Sequence, residues 1–211
     1  MSPSRLERGL YLVTPDERDP SRLLERVAPL LPLAACLQLR AKSMKHDALR
    51  EAASLLRTAC RAAGVPFIVN DDARLASEVG ADGVHLGELD AAVAEARALL
   101  GDDALIGASC YDDLARARGA AASGADYVAF GAFFPSPTKP DARRASPDLL
   151  RDSAGLGLPR VAIGGITPDN ARSLVDAGAD LLAVISGVFD APHPIAAARA
   201  YLSCFETNTT A

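Results

Sequence analysis

Short runs of β-branched and apolar residues alternate along the chain with longer stretches rich in Ala, Leu and Arg. Eight short runs predict strands: GLYLVT (9–14), CLQLR (36–40), PFIVN (66–70), GVHLG (83–87), ALIGAS (104–109), YVAFG (127–131), RVAIGG (160–165) and LLAVIS (181–186). The stretches between them predict helices, among them 46–64 and 168–179. The first of these sets Leu49, Ala52, Ala53, Leu56 and Cys60 on one face, at spacings of three and four. Glycines in AGVP and EVGADG mark helix ends. Most strands are near-continuously apolar rather than alternating, which suits parallel strands covered on both faces. Eight βα units in 211 residues predict an α/β chain forming a (β/α)8 TIM barrel. It is read as a single domain over 9–205, with polar tails at 1–8 and 206–211. An open doubly wound sheet is the alternative, but no GxGxxG follows the first strand.

Composition narrows the class. Hydrophobic residues make up 49% and charged residues 23%, which excludes a disordered chain. A net charge of −5 argues against a general nucleic-acid surface. No apolar run reaches the ~18 residues of a membrane span, and MSPSRLERGLYLVT lacks the apolar region of a secretory signal. Cys36, Cys60, Cys110 and Cys204 are widely spaced and form no CxxC pair, so reduced thiols in a cytoplasmic protein are expected.

A parallel barrel builds its active site where strands end and βα loops begin. After strand 2 come Arg40 and Lys42, with Gln38 two residues before Arg40 and on the same strand face by period two. An unpaired amide is costly in an apolar strand. The group reads as an anion site, most simply for phosphate, against solvated cations at a strand end. Strand 3 ends in Asn70, Asp71 and Asp72, and strand 4 leads to Glu88 and Asp90. One of Asp71 and Asp72 is expected to cap the next helix. Asp71 and Asp90, on neighbouring strands, suit Mg2+ shared with substrate phosphate, or are two independent caps. Strand 5 ends at Ser109, with Cys110 and Tyr111 beyond it. FFPSPTKP (133–140), after strand 6, offers Ser136, Thr138 and Lys139 between prolines and no acid. Gly164, Gly165 and Ser186 close strands 7 and 8; the glycines serve either phosphate binding through backbone N–H groups or close strand–helix packing. His85, inside strand 4, reads as a satisfied core or rim histidine; His46 and His193 read as surface residues at helix starts. The pair in DARRAS (141–146) reads as a solvated continuation of the strand-6 loop. Anion sites on two sides of one rim call for two phosphorylated substrates or one bisphosphate.

The stretches QLRAK, VNDDARLASEVGADGVHLGELD, GAS, ADYVAFGAFFPSPTKP, VAIGGITPDNA and AVIS occur in order over nearly the whole chain. With them the sequence resembles the thiamine phosphate synthase family. The resemblance implies a (β/α)8 fold, a homodimer in many members, and a Mg2+-dependent transferase. It would join a hydroxymethylpyrimidine diphosphate to a thiazole phosphate and release pyrophosphate. Carried over by residue, Gln38, Leu39, Arg40, Ala41, Lys42 and Asn70 line the pyrimidine diphosphate pocket, and Asp71 and Asp90 hold magnesium. Ser109 meets the pyrimidine. Ser136, Pro137 and Thr138 meet the thiazole phosphate, as do Gly165, Ile185 and Ser186, and Lys139 meets the diphosphate. Arg40, Lys42, Lys139 and Ser109 are the residues expected to carry the chemistry; Cys110 is not expected to act as a nucleophile. Three positions depart from the common pattern: Ser136 where many relatives have Thr, Glu88 where many have Gln, and Tyr111 where many have His. The last bears on one alternative, a thiazole tautomerase, which needs a proton-exchanging side chain there. A non-catalytic phosphate-ligand sensor is the other, and it has no use for leaving-group machinery.

Overall fold

The computed structural model describes residues 6–87, 93–135 and 143–206. Eight parallel strands form a closed barrel in chain order: β1 (Gly9–Val13), β2 (Cys36–Leu39), β3 (Phe67–Asn70), β4 (Gly83–Leu86), β5 (Leu105–Tyr111), β6 (Tyr127–Gly131), β7 (Arg160–Ile163) and β8 (Leu181–Val184). β8 returns to β1 in parallel register, with Gly9 opposite Leu181 and Leu12 opposite Val184. The helices are α1 (Pro20–Val27), α2 (His46–Ala63), α3 (Ala73–Val79), α4 (Val93–Leu100), α5 (Leu114–Ala122), α6 (Asp148–Asp152), α7 (Pro168–Asp176), α8 (Ser186–Phe189) and α9 (Pro194–Ser203). The closed (β/α)8 barrel is the architecture that the continuous apolar strands predict. Among the described residues no helix is long and apolar enough to cross a membrane.

Alternation along the strands divides the apolar residues into two bodies. One lies between strands and helices and includes Leu10, Leu12, Leu37, Leu39, Phe67, Val69 and the α2 face Ala52, Ala53, Leu56 and Cys60. Leu49, expected on that face, is half-buried against it. The other contains the residues two apart on successive strands: Tyr11, Val13, Cys36, Ile68, Leu105, Tyr127, Ala129, Val161, Leu181 and Ala183, joined by Leu6. Helices end as the glycines suggest, with Gly64 and Gly80 in the left-handed region after α2 and α3.

A repeated signal, GAD at 80–82, 124–126 and 178–180, staples the bottom of the barrel. Each aspartate precedes an even-numbered strand and accepts the N–H of a residue at or near the start of the strand before it. Asp82 takes Phe67 N at 2.8 Å, Asp126 takes Ile106 N at 2.7 Å and Asp180 takes Arg160 N at 2.9 Å. An arginine joins each one: Arg57 at 3.7 Å, Arg97 at 2.6 Å and Arg160 Nε at 3.1 Å.

Inside the barrel, Gly107 on β5 is where the ring of Tyr127 fits. A Cβ there would collide with Tyr127 Cζ, Cε2 and Oη. Tyr127 is fully buried and has no room to retreat. Gly107→Ala is therefore expected to destabilise the protein by about 1–3 kcal/mol through overpacking. It would be read as a lower urea midpoint at unchanged slope. Gly119→Ala on α5, where nothing lies within 4 Å, is the control and should be neutral or slightly stabilising.

Candidate active site

The strand ends at the top of the barrel gather most of the residues singled out from the sequence. β2 stops at Leu39, so Arg40 lies just beyond the strand rather than on its face with Gln38. Its backbone is instead fixed by Thr14, at the end of β1. Arg40 N donates to Thr14 Oγ1 at 2.8 Å, and Thr14 Oγ1 donates to Arg40 O at 3.1 Å. Asp16 holds the following turn by accepting from Ser43 N at 3.0 Å and Ser43 Oγ at 2.9 Å. Partial desolvation works against the Asp16 carboxylate, but the two Ser43 hydrogen bonds and then the Arg40 charge keep its pKa below the usual range. Thr14 and Asp16 were not singled out as site residues. Their signal, TPD directly after the first strand, is visible only once β1 and β2 are known to be neighbours.

At the end of β3 the two acids separate. Asp72 is the N-cap of α3, accepting from Leu75 N at 2.9 Å. Asp71 sits at φ 66°, in the left-handed region, and its N–H donates to His85 O at 2.8 Å. Asp71, Asn70 and Lys42 line one cleft of about 160 Å3 with Leu39, Ala41, Leu49, Val69 and Leu75. Among the described residues Arg40 and Lys42 form no ion pair within 4.0 Å. An oxygen ligand next to cations and an amide fits magnesium, which takes one or two carboxylates and completes its shell with water and substrate phosphate. No cluster of three or more His, Cys, Asp or Glu suited to a metal occurs among the described residues. A larger hollow of about 630 Å3 opens at the opposite end, lined by Arg57, Arg61, Asp82 and Asp103 among others. It belongs to the stapled bottom, where Arg57 is held by Gly80 O and Asp82.

Between Asn70 and Ser109 the barrel interior carries a continuous polar chain. Gln38 Nε2 donates to Asn70 Oδ1 at 2.5 Å, and Gln38 Oε1 accepts from Tyr11 Oη at 2.9 Å. Tyr11 and Tyr127 hydroxyls meet at 2.8 Å. Tyr127 Oη lies 3.1 Å from His85 Nδ1, and His85 Nε2 lies 2.9 Å from Ser109 Oγ. Gln38 and His85 are 5% and 8% exposed, so these bonds replace water. Burial, and then nearby charge, lifts both phenols well above their ordinary pKa, so they stay protonated. His85 is a satisfied core histidine, as its place in β4 suggests. The sequence carries no local sign of the tyrosines, because their partners come from distant parts of it.

On the other side, Gly164 and Gly165 have φ of 99° and 64°. A Cβ on Gly164 would strike Ala132; on Gly165 it would strike the Phe134 and Pro135 carbonyls. Close packing therefore requires both glycines, against the strand-6 loop rather than a helix. Phe133 N donates to Ile163 O and Phe134 N to Gly164 O, drawing the strand-6 loop against β7. Ile185 precedes the single turn of α8, and Ser186 opens it. The backbone after that loop is not simply solvated: Ala132 N donates to Arg143 O, and buried Ala145 donates to Ala132 O. Arg143 and Arg144 are exposed, as expected. Glu88, Asp90, Ser136, Pro137, Thr138 and Lys139 lie outside the described residues.

Ser109 is half-buried at a β-bulge, after which Tyr111 takes φ 52°. Cys110 points into the core. Desolvation raises its thiol to a pKa of about 12, which suits no nucleophile.

The family model described as thiamine monophosphate synthase matches residues 10–188. The thiamine-phosphate synthase of Xanthomonas campestris pv. campestris (strain 8004) is 60% identical over 198 residues, covering 94% of this chain and 96% of that protein. The thiamine-phosphate synthase of Xylella fastidiosa (strain Temecula1) is 53% identical over 199 residues, covering 94% and 85%. Among solved structures, thiamine phosphate pyrophosphorylase from Pyrococcus furiosus superposes with a TM-score of 0.84 at 34% identity, covering 95% of this chain and 96% of that one. Fold and similarity agree, and the chain belongs to the thiamine monophosphate synthase family.

Proposed function

We propose that the protein is a Mg2+-dependent thiamine-phosphate synthase, a transferase that joins hydroxymethylpyrimidine diphosphate to hydroxyethylthiazole phosphate and releases pyrophosphate. The observation that carries the site assignment is the cleft shared by Lys42, Asn70 and Asp71, next to Arg40, with Asp72 taking over the capping of α3. A diphosphate brings several anionic oxygens to one place. Two cations that form no ion pair within 4.0 Å among the described residues, an amide and one carboxylate make a matching set. The full reading takes the pyrimidine diphosphate pocket as Gln38, Leu39, Arg40, Ala41, Lys42, Asn70, Ser109 and Lys139. Asp71 and Asp90 are the magnesium ligands. Ser136, Pro137, Thr138, Gly165, Ile185 and Ser186 form the thiazole phosphate side. A cytoplasmic location and a homodimer complete the proposal; four free cysteines support the first.

The bond from the pyrimidine methylene carbon to the diphosphate oxygen breaks, and the electron pair leaves with pyrophosphate. The amino-substituted ring delocalises the cation that remains, and the thiazole nitrogen donates its lone pair to form the new carbon–nitrogen bond. Magnesium, when bound, supplies positive charge at the diphosphate. Arg40, Lys42 and Lys139 do the same from the protein, and their attraction strengthens as charge builds on the leaving group. No covalent protein intermediate is needed. The decisive assay incubates the protein with both substrates and Mg2+ and measures thiamine phosphate and pyrophosphate in equal amounts; absence of both would overturn the function.

Three outcomes test the residue roles. Asn tolerates the left-handed backbone that Asp71 adopts, so Asp71→Asn should fold normally. It should raise the Mg2+ concentration needed and lower turnover by on the order of 10^2-fold or more, as expected when a metal ligand is lost. Wild-type turnover at limiting Mg2+ would remove Asp71 from the metal site. For Lys139→Ala, kcat should fall by roughly 10^2–10^3-fold with little change in either KM, the pattern of an interaction made mainly in the transition state. A change in KM alone would mean that the lysine only grips the ground state. Asp16→Ala releases the turn carrying Lys42. Because Asp16 is exposed, the effect is capped near ~1 kcal/mol, or roughly fivefold in KM for the diphosphate substrate. Steady-state kinetics showing no change would leave Asp16 without a positioning role.

A further inference from the structure

Starting from the Gln38 amide and a neutral imidazole, the hydrogen bonds of the polar chain assign its protons in turn. Gln38 Oε1 can only accept, so the one proton of Tyr11 goes to it. Tyr127 must then donate to Tyr11. With its own proton committed, Tyr127 accepts from His85, which places the imidazole proton on Nδ1. His85 Nε2 is left as an acceptor, and Ser109 donates to it. At the far end Gln38 Nε2 donates to Asn70 Oδ1, which leaves the Asn70 Nδ2 group as the outward donor. Each link depends on the next. Turning one amide alone would set like groups against each other, so with a neutral imidazole the chain reverses as a whole or not at all.

We propose that this chain has one working polarity, with donation running from Ser109 to Asn70, and that it makes the site select a 4-amino over a 4-oxo pyrimidine diphosphate. The proposal rests on Ser109 meeting the pyrimidine, as in the proposed function. In this polarity Ser109 Oγ has spent its proton on His85 and offers lone pairs, which accept from an exocyclic amine. A 4-oxo ring would present an oxygen to those lone pairs. In the reversed polarity Ser109 would offer its proton and favour the oxo ring, but Asn70 would then turn its carbonyl toward the cleft. That cleft is lined by Lys42 and Asp71, where a diphosphate is expected. An amide oxygen repels an anion, whereas an amide N–H2 binds it. The diphosphate at one end thus sets the ring preference at the other, across five hydrogen bonds. Tyr11, Tyr127 and His85 are positioning residues that act through Asn70 and Ser109. Neither buried tyrosine touches the cleft, yet both are required for its ends to agree.

Two measurements on the full chain test this. Nitrogen NMR of the imidazole side chains, with inorganic pyrophosphate and Mg2+ present, should show His85 protonated on Nδ1 and unprotonated on Nε2. The signals are assigned by removing the exposed histidines with His46→Gln and His193→Gln. A proton on Nε2 would overturn the polarity, and this arm needs no variant of the buried chain. Next, kcat/KM is compared for the 4-amino and 4-oxo pyrimidine diphosphates. Wild type should favour the amino ring by on the order of 10^3-fold or more, as sites built around a hydrogen bond do. Tyr11→Phe removes one link and should shrink that preference by roughly 5–150-fold, the range of coupling between distinct sites. An unchanged preference would overturn the coupling. Ser109→Ala separates the two levels: if it leaves the preference intact while the His85 tautomer stands, the pyrimidine contact is misassigned and the selectivity falls with it.

Discussion

Closing β8 onto β1 seals the inward side chains away from water and from the helices. Any polar group there must find its partner on another strand. Gln38, His85, Tyr11 and Tyr127 meet that demand together, and no buried side-chain nitrogen or oxygen among the described residues lacks a hydrogen bond. The rim inherits its order from this interior. Asn70 and Ser109 are the ends of the buried chain that reach half-buried positions. Losing a middle link would leave a buried group unsatisfied, at about 1–3 kcal/mol. Gly107 is part of the same constraint, because the Tyr127 ring occupies the space its side chain would need.

The rim divides its work by strand. The ends of β2 and β3 bring a cation, an amide and a carboxylate into one cleft, with the loop after β1 supplying Thr14 and Asp16 to fix the backbone around Arg40 and Lys42. The ends of β6 and β7 are bound to each other through backbone hydrogen bonds and two glycines that allow the contact. A charge-rich side and a backbone-rich side therefore face one opening. Under the proposed function each side would take one of the two phosphorylated substrates.

Strand positions were legible in the sequence because both faces of each strand are covered, leaving unbroken apolar runs. The α3 cap was narrowed to Asp71 or Asp72, and backbone geometry decides between them: only Asp72 stands where its carboxylate reaches Leu75 N. Arg40 was placed on a strand face because period two continues on paper; in the fold the strand ends one residue earlier and Thr14 takes over the backbone. The glycines after β7 could be read as phosphate loop or close packing, since both need a missing Cβ; the position of Ala132 and Phe134 establishes the packing requirement. The interior chain was beyond reach for a different reason. Tyr11 and Tyr127 are 116 residues apart, and a tyrosine in an apolar run looks the same whether its hydroxyl is bonded or not.

The GAD staples differ from the barrel seam in what they demand of chain entropy. Each staple joins residues 15 or 20 apart. The β1–β8 seam joins Gly9 to Leu181. About three doublings of loop length separate the two, at about 0.6 kcal/mol each, so the seam costs about 2 kcal/mol more to close than any staple. Most of the barrel is thus a set of short-range agreements between neighbouring βα units, and its cooperativity as a closed object is concentrated in one long-range seam, formed by the first strand.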